Sequence, residues 1–332
     1  MAASSDARVR QSLPDAPTTL LFCASAGLLA VGAPMFAYLV VLGTFGVAQA
    51  IWALRHIRTH FANRAPPGLW TAVAVLATLA ASVRVAAHLG TVGPELTATI
   101  ELFLIVAMVV PTLRLALPGA GVFGAALSGG LALLAIGSLQ DPLLTVQTLR
   151  TVHLLSPLAL LFAAVPRGSA RRSIAVGGLL AFAPIPLLIA GGLPTHLLNS
   201  VGLSRPDLSP LPLGPLTQQL PHFVPSWMLD HPRAPDFFRA RTYLEIVHCA
   251  VILTILPSVP GPARPRLALS LPALAIATTA AAGASIWGLF DSFHNTRAVI
   301  ELVSDLEAYV ELPVLALALG AVSRPQTAPQ TG

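Results

Sequence analysis

Residues 69–88 read LWTAVAVLATLAASVRVAAH, twenty positions without an acidic residue and with a single arginine, Arg84, in the last quarter. A helix rises 1.5 Å per residue, so a mostly apolar run of about 20 residues crosses the ~30 Å hydrocarbon core of a bilayer. Working outward in both directions, comparable runs recur at 18–33, 35–54, 96–117, 120–138, 143–165, 174–193, 240–256, 267–289 and 298–322. The predicted fold is therefore all-α, a polytopic transmembrane helix bundle of about ten spans. Gly32, Ala33 and Pro34 divide the first two runs. If they only kink one long helix, the count drops to nine.

Composition agrees. Of 332 residues, 55% are hydrophobic and 10% charged, and the mean hydropathy is +0.77. That leaves too little polar surface to coat a water-soluble globule. The net charge of +5 comes from arginine alone, because the chain has no lysine. A retinal Schiff base and a lysine-ended phosphate loop are thereby excluded. The arginines are scattered over short connections without a basic stripe, so nucleic acid is not an expected partner. Cys23 and Cys249 both fall in apolar runs and form no CxxC motif, so a structural disulfide is not expected.

The arginines set a direction across the membrane. With the amino terminus inside, the inner connections carry Arg8, Arg10, Arg55, Arg58, Arg64, Arg114, Arg167, Arg171, Arg172, Arg264, Arg266 and Arg324, against Arg205, Arg233, Arg239, Arg241 and Arg297 outside. The positive-inside rule then predicts that both termini are cytoplasmic. Residues 1–17 read as a cytoplasmic tail before a retained first span rather than a cleaved leader, 18–322 as one transmembrane domain, and 323–332 as a disordered tail. The one long connection, 194–239, is rich in proline and holds Phe223, Trp227, Phe237 and Phe238. It reads as a folded cap on the outer face or as an aromatic interfacial anchor.

Ionisable side chains within spans are costly and normally face protein or a wet cavity. Under this topology Arg84, Glu101, Arg150, His153, Glu245, His248, His294, Arg297, Glu301 and Asp305 fall in the outer half of the bilayer, with Glu307 and Glu311 deeper. At 100° per residue, His294, Arg297, Glu301, Ser304 and Asp305 share one stripe of the last span, with Glu311 at its edge. Arg297 and Glu301 stand at i, i+4 and can pair. Glu245-x-x-His248 has the carboxylate and imidazole spacing of helical di-metal sites, and Asp291-x-x-His294 repeats it. The candidate metal ligands are His153, His248 and His294, joined by Glu101 and Asp291. Glu245, Glu301, Asp305, Arg150 and Arg297 are the candidate catalytic or charge-balancing residues. A network of salt bridges that only locks the helices is the plainer reading of the same residues.

Several short stretches carry a family resemblance: Gly46-Val-Ala-Gln49-Ala-Ile-Trp-Ala-Leu-Arg55-His-Ile-Arg58, Val152-His153-Leu-Leu-Ser-Pro157, Ile246-Val-His248 through Leu256-Pro257, and Phe293-His294 with Glu311-Leu-Pro313. They resemble a set of bacterial polytopic membrane proteins that are themselves similar to the membrane-embedded carotene-cleaving dioxygenases of the Brp/Blh type. The resemblance covers about a quarter of the chain. It implies iron held by histidines on transmembrane helices, with His153, His248 and His294 as the ligands that carry over. Where that pattern has Pro-His, this chain has Ala48-Gln49, and an amide is a poor replacement for imidazole on iron.

The leading expectation is thus a multi-pass protein of the bacterial inner membrane with a histidine- and carboxylate-lined cavity. It would hold iron or another divalent metal and act as a metal-dependent oxidoreductase on a lipophilic substrate. Two other readings stand beside it: a proton-coupled transporter using the same groups as a relay, and a non-catalytic scaffold.

Overall fold

The computed structural model describes residues 16–61, 67–116, 121–165, 169–259 and 271–323. The tail 1–15, the tail 324–332, and Arg8, Arg10, Arg64, Arg167, Arg264, Arg266 and Arg324 lie outside the described residues. Every regular element among the described residues is helical. In chain order the main helices are α1 (Ala16–Gly32), α2 (Pro34–Phe61), α3 (Pro67–His88), α4 (Pro94–Ala116), α5 (Gly121–Gln140), α6 (Pro142–His153) and α7 (Ser156–Ala164). They continue as α8 (Ser169–Phe182), α9 (Pro184–Ala190), α10 (Leu193–Ser200), α11 (Ala234–Ala250), α12 (Leu271–Asp291) and α13 (Phe293–Ser323).

Proline marks the helix starts. Pro34, Pro67, Pro94, Pro142, Pro157, Pro184, Pro194, Pro235 and Pro272 each occupy the first or second helical position, where the missing N–H costs nothing and φ is already set. Before α6, the Asp141 carboxylate accepts the Leu144 N–H at 2.9 Å as an N-cap. At the end of α3, Gly90 takes φ +74 while the Thr91 N–H reaches back to the Ala86 carbonyl, so only a residue without a Cβ closes this turn without strain.

Five helices are long and apolar enough to cross a membrane: Pro34–Phe61, Gly68–His88, Pro94–Leu113, Ala234–Ser258 and Pro272–Asp291. Two bent pairs, Pro142–His153 with Ser156–Ala164 at 44° and Val176–Ala190 with Leu193–Ser200 at 63°, bring the number to seven if each is one span. The other runs read as spans also fall on helices. However, α1 has only 17 residues, and α13 carries Arg297, Glu301, Asp305, Glu307 and Glu311 along its length. At Ala33 the chain breaks between α1 and α2, as the Gly-Ala-Pro sequence suggests.

The chain divides into two compact units, one made of Met1–His56 with Thr151–Ser304 and the other of Ile57–Arg150 with Asp305–Gly332. The divisions fall within α2, α6 and α13. In the first unit, the connection after α10 is folded rather than extended. Leu211, Leu216, Leu220, Phe223, Val224 and Phe238 join Met35, Tyr38, Leu39 and Leu42 of α2, Leu289 of α12 and Ile300 of α13 in one apolar core. The Phe223 ring packs against Tyr38 at 4.7 Å and Phe238 at 4.6 Å. Of the aromatic residues noted there, Phe223 and Phe238 are buried and Trp227 is exposed, so core packing anchors this segment at those two rings. In the second unit, α3 and α4 form a hairpin. Val73, Ala77 and Ala80 pack on Ile105, Met108 and Val109, together with Tyr309 and Ala316 of α13.

Candidate metal centre

The break between α6 and α7 builds the first part of the site. Pro157 has no N–H and its ring opposes a continuous helix, so α6 stops at His153 and α7 restarts at Ser156 with a 44° bend. Within the break the Leu158 N–H bonds the Leu155 carbonyl at 3.2 Å, one residue short of the α-helical partner, Leu154. The Leu154 carbonyl is thereby available to a side chain. It accepts a hydrogen bond from Nδ1 of His248 at 3.2 Å. A carbonyl can only accept, so Nδ1 must carry the proton, and in the neutral ring Nε2 presents its lone pair. Metal-bound imidazoles are oriented by this kind of backbone bond.

His248 sits in the last turn of α11, ahead of a π-helical turn at Val251–Ile255. Such turns occur frequently at functional sites. Its ring lies 5.1 Å from that of His153, edge to face. His248 is fully buried and His153 is 6% exposed. The neighbouring Cys249 thiol donates to Oε1 of Gln49 on α2, so the residue standing where the resemblance has a histidine occupies a buried place beside this helix turn. His153 and His248 thus bring two buried imidazoles side by side within the first unit. Two imidazoles so placed can hold a metal ion.

The other sequence candidates are placed as follows. His294 is exposed in the first turn of α13, with its ring against Phe293 at 5.4 Å. Asp291 is exposed at the end of α12. The chain breaks between them at Ser292, so Asp291 and His294 do not share a helix face. Glu245 bonds Arg241 Nε at 3.1 Å, and Arg241 also donates to the Phe223 carbonyl at 3.1 Å. Arg297 donates to Glu301 at 2.7 Å, the i, i+4 pair expected from spacing, and its guanidinium lies 4.5 Å over the Phe223 ring.

In the second unit, Glu101 takes a two-pronged interaction from Arg84. Asp305 is held by Arg84 at 2.7 Å and by Arg150 at 3.0 Å. These carboxylates are committed to guanidinium groups, the arrangement that the salt-bridge reading describes.

At 100° per residue Glu307 lies about 120° from Glu301 around α13, off the charged stripe. Glu307 and Glu311 form an i, i+4 pair of acids with no basic residue three or four positions from either, and both are fully buried. No family model, curated protein or solved structure matches this chain.

Proposed function

We propose that this chain is a multi-pass membrane protein that binds one divalent metal ion, iron being the expected one, through His153 and His248. The single observation carrying the reading is the pair of buried imidazoles with rings 5.1 Å apart, His248 being oriented by the Leu154 carbonyl. Imidazole is a common ligand of iron. Such an ion would supply oxidative chemistry on a lipophilic substrate. The protein's own contribution is to hold two neutral imidazoles in fixed orientation and to keep bulk water away from them, since both are buried. The resemblance to the Brp/Blh type points the same way. In this reading the ten apolar runs are spans, both termini are cytoplasmic, and the membrane is the bacterial inner membrane, supported by the arginine distribution.

Elemental analysis of detergent-purified protein tests it. The wild type is expected to carry close to one equivalent of iron or another divalent transition metal, and His153→Ala and His248→Ala are expected to lose it. Wild-type protein free of iron, manganese and zinc, and unable to take them up, removes the metal reading. In that event, substrate flux in proteoliposomes abolished by Glu301→Gln would favour a proton-coupled transporter.

A further inference from the structure

Within the first unit, the chain turns sharply after α9. Gly192 takes φ +80, which costs glycine little, and α10 leaves at 63° to the helical stretch before it. Side chains of α11 and its entry hold that angle. Thr195 Oγ1 donates to Asp236 Oδ1 at 2.6 Å, Arg239 Nη1 donates to the same oxygen at 2.8 Å, and Arg233 donates to the Gly191 carbonyl. A Cβ at Gly192 would stand 2.9 Å from Asp236 Oδ2, so the carboxylate lies directly against the turn. Past α10, the Arg205 N–H bonds the Gly32 carbonyl at the end of α1 at 2.6 Å. The helix is thus tied down on both sides.

At eight residues, α10 rises only about 12 Å, far short of the ~30 Å that a span needs. It has three distinct faces. At 100° per residue, Leu193, Leu197 and Val201, just past its end, fall within about 80° of one another, and they are 55%, 60% and 63% exposed. Thr195 is buried on the opposite side against Asp236. His196 and Asn199, both exposed, occupy the flank between. A water-exposed helix turns its apolar stripe to the protein and its polar residues out. Here the leucines face out and a threonine faces in.

We propose that α10 is an interfacial helix, set at its angle by Asp236, whose partner is the phospholipid leaflet where α9 ends. Leu193, Leu197 and Val201 lie among the upper acyl chains, and His196 and Asn199 stand at the head groups, the two-sided arrangement of a helix in the membrane plane. The occupant is lipid because the stripe continues the exposed Leu187 and Leu188 of α9 around the bend. Three side chains also fall well short of the ~20 residues a side of a stable protein interface.

The test places single cysteines in the full chain by Leu193→Cys, His196→Cys, Leu197→Cys, Asn199→Cys or Val201→Cys, spin-labels them and reconstitutes the protein in phosphatidylcholine vesicles. The native Cys23 and Cys249 are buried, and unsubstituted protein sets the background. Electron paramagnetic resonance then compares collisions with oxygen, which concentrates among acyl chains, and with a water-soluble nickel chelate. Labels at 193, 197 and 201 are expected to favour oxygen and labels at 196 and 199 nickel. Nickel-dominated collisions at all five positions overturn the proposal in favour of an arm in water. Oxygen dominance at 196 and 199 equal to that at 197 overturns it in favour of a helix immersed in the bilayer core. A label at 197 shielded from both reagents and broadened by a neighbouring spin assigns the stripe to a second copy instead. Adding Asp236→Ala is expected to increase the mobility of the 197 label and to erase the contrast between the faces, and an unchanged spectrum overturns the role of Asp236.

Discussion

Replacing Pro157 with alanine separates the stability of the α6–α7 segment from the chemistry of His248. Alanine restores the N–H that proline lacks and removes the ring that opposes a straight helix, a relief of up to about 3 kcal/mol for a proline in a helix interior. Part of that gain is offset, because Pro157 is buried and its contacts are lost. With α6 and α7 joined, the Leu158 N–H claims the Leu154 carbonyl in place of that of Leu155, and His248 Nδ1 loses its acceptor. The lost bond is 3.2 Å long, at the far end of the normal range, and is worth about 1 kcal/mol net. That corresponds to roughly fivefold in affinity, and release of the ring tautomer carries the total toward about tenfold, the lower end of losses from outer partners of metal ligands. Pro157→Ala is therefore expected to raise helix content and thermal stability without metal, and to weaken Co²⁺ binding five- to tenfold. Far-ultraviolet circular dichroism and Co²⁺ titration on the same preparation read both effects. Increased helicity with unchanged affinity refutes the claim that the helix break orients the ligand.

Two further variants address packing in each unit. Arg84→Met strips countercharge from Glu101, which is 1% exposed, and is expected to cost about 3–5 kcal/mol. Adding Glu101→Gln should recover much of that loss in detergent thermal unfolding, and an equal loss in single and double variants would refute the buried-charge account. A Cβ at Gly46 would meet Cγ2 of Ile300 at 2.5 Å, in the core that joins α2 and α13. Gly46→Ala is expected to destabilise by about 1–3 kcal/mol through overpacking. Its combination with Ile300→Ala should cost less than the sum of the two single changes, and strict additivity would show that the contact does not matter.

Helix positions were legible because two independent signals coincide. Apolar runs mark the interiors, and prolines mark the starts: Pro94 and Pro142 each open a helix whose run was read from hydropathy alone. The bend after His153 was not read, since 143–165 is long and apolar enough on average to pass as one span and Pro157 can be carried by a kinked span as well as by a broken one. The long connection looked like an interfacial segment by composition, yet Phe223 and Phe238 lie in the core. Composition reports how apolar a segment is and not which partner it meets.

The same distinction explains what was found and missed on α13. The Arg297 and Glu301 pair is visible in sequence because the acid has its base one turn away, and it behaves as that spacing predicts, whereas Asp305 has no base on its own helix and is held by Arg84 and Arg150. Local pairing of this kind satisfies charge within the helix and so argues for structure. Glu307 and Glu311 have only each other at helical spacing, so any compensation must come from another element, which no local pattern reveals. The Glu245-x-x-His248 spacing teaches the same lesson from the other side: Glu245 is held by Arg241, whereas His248 lies beside His153 from another helix, so an acid and a histidine at i, i+3 need not serve one ion.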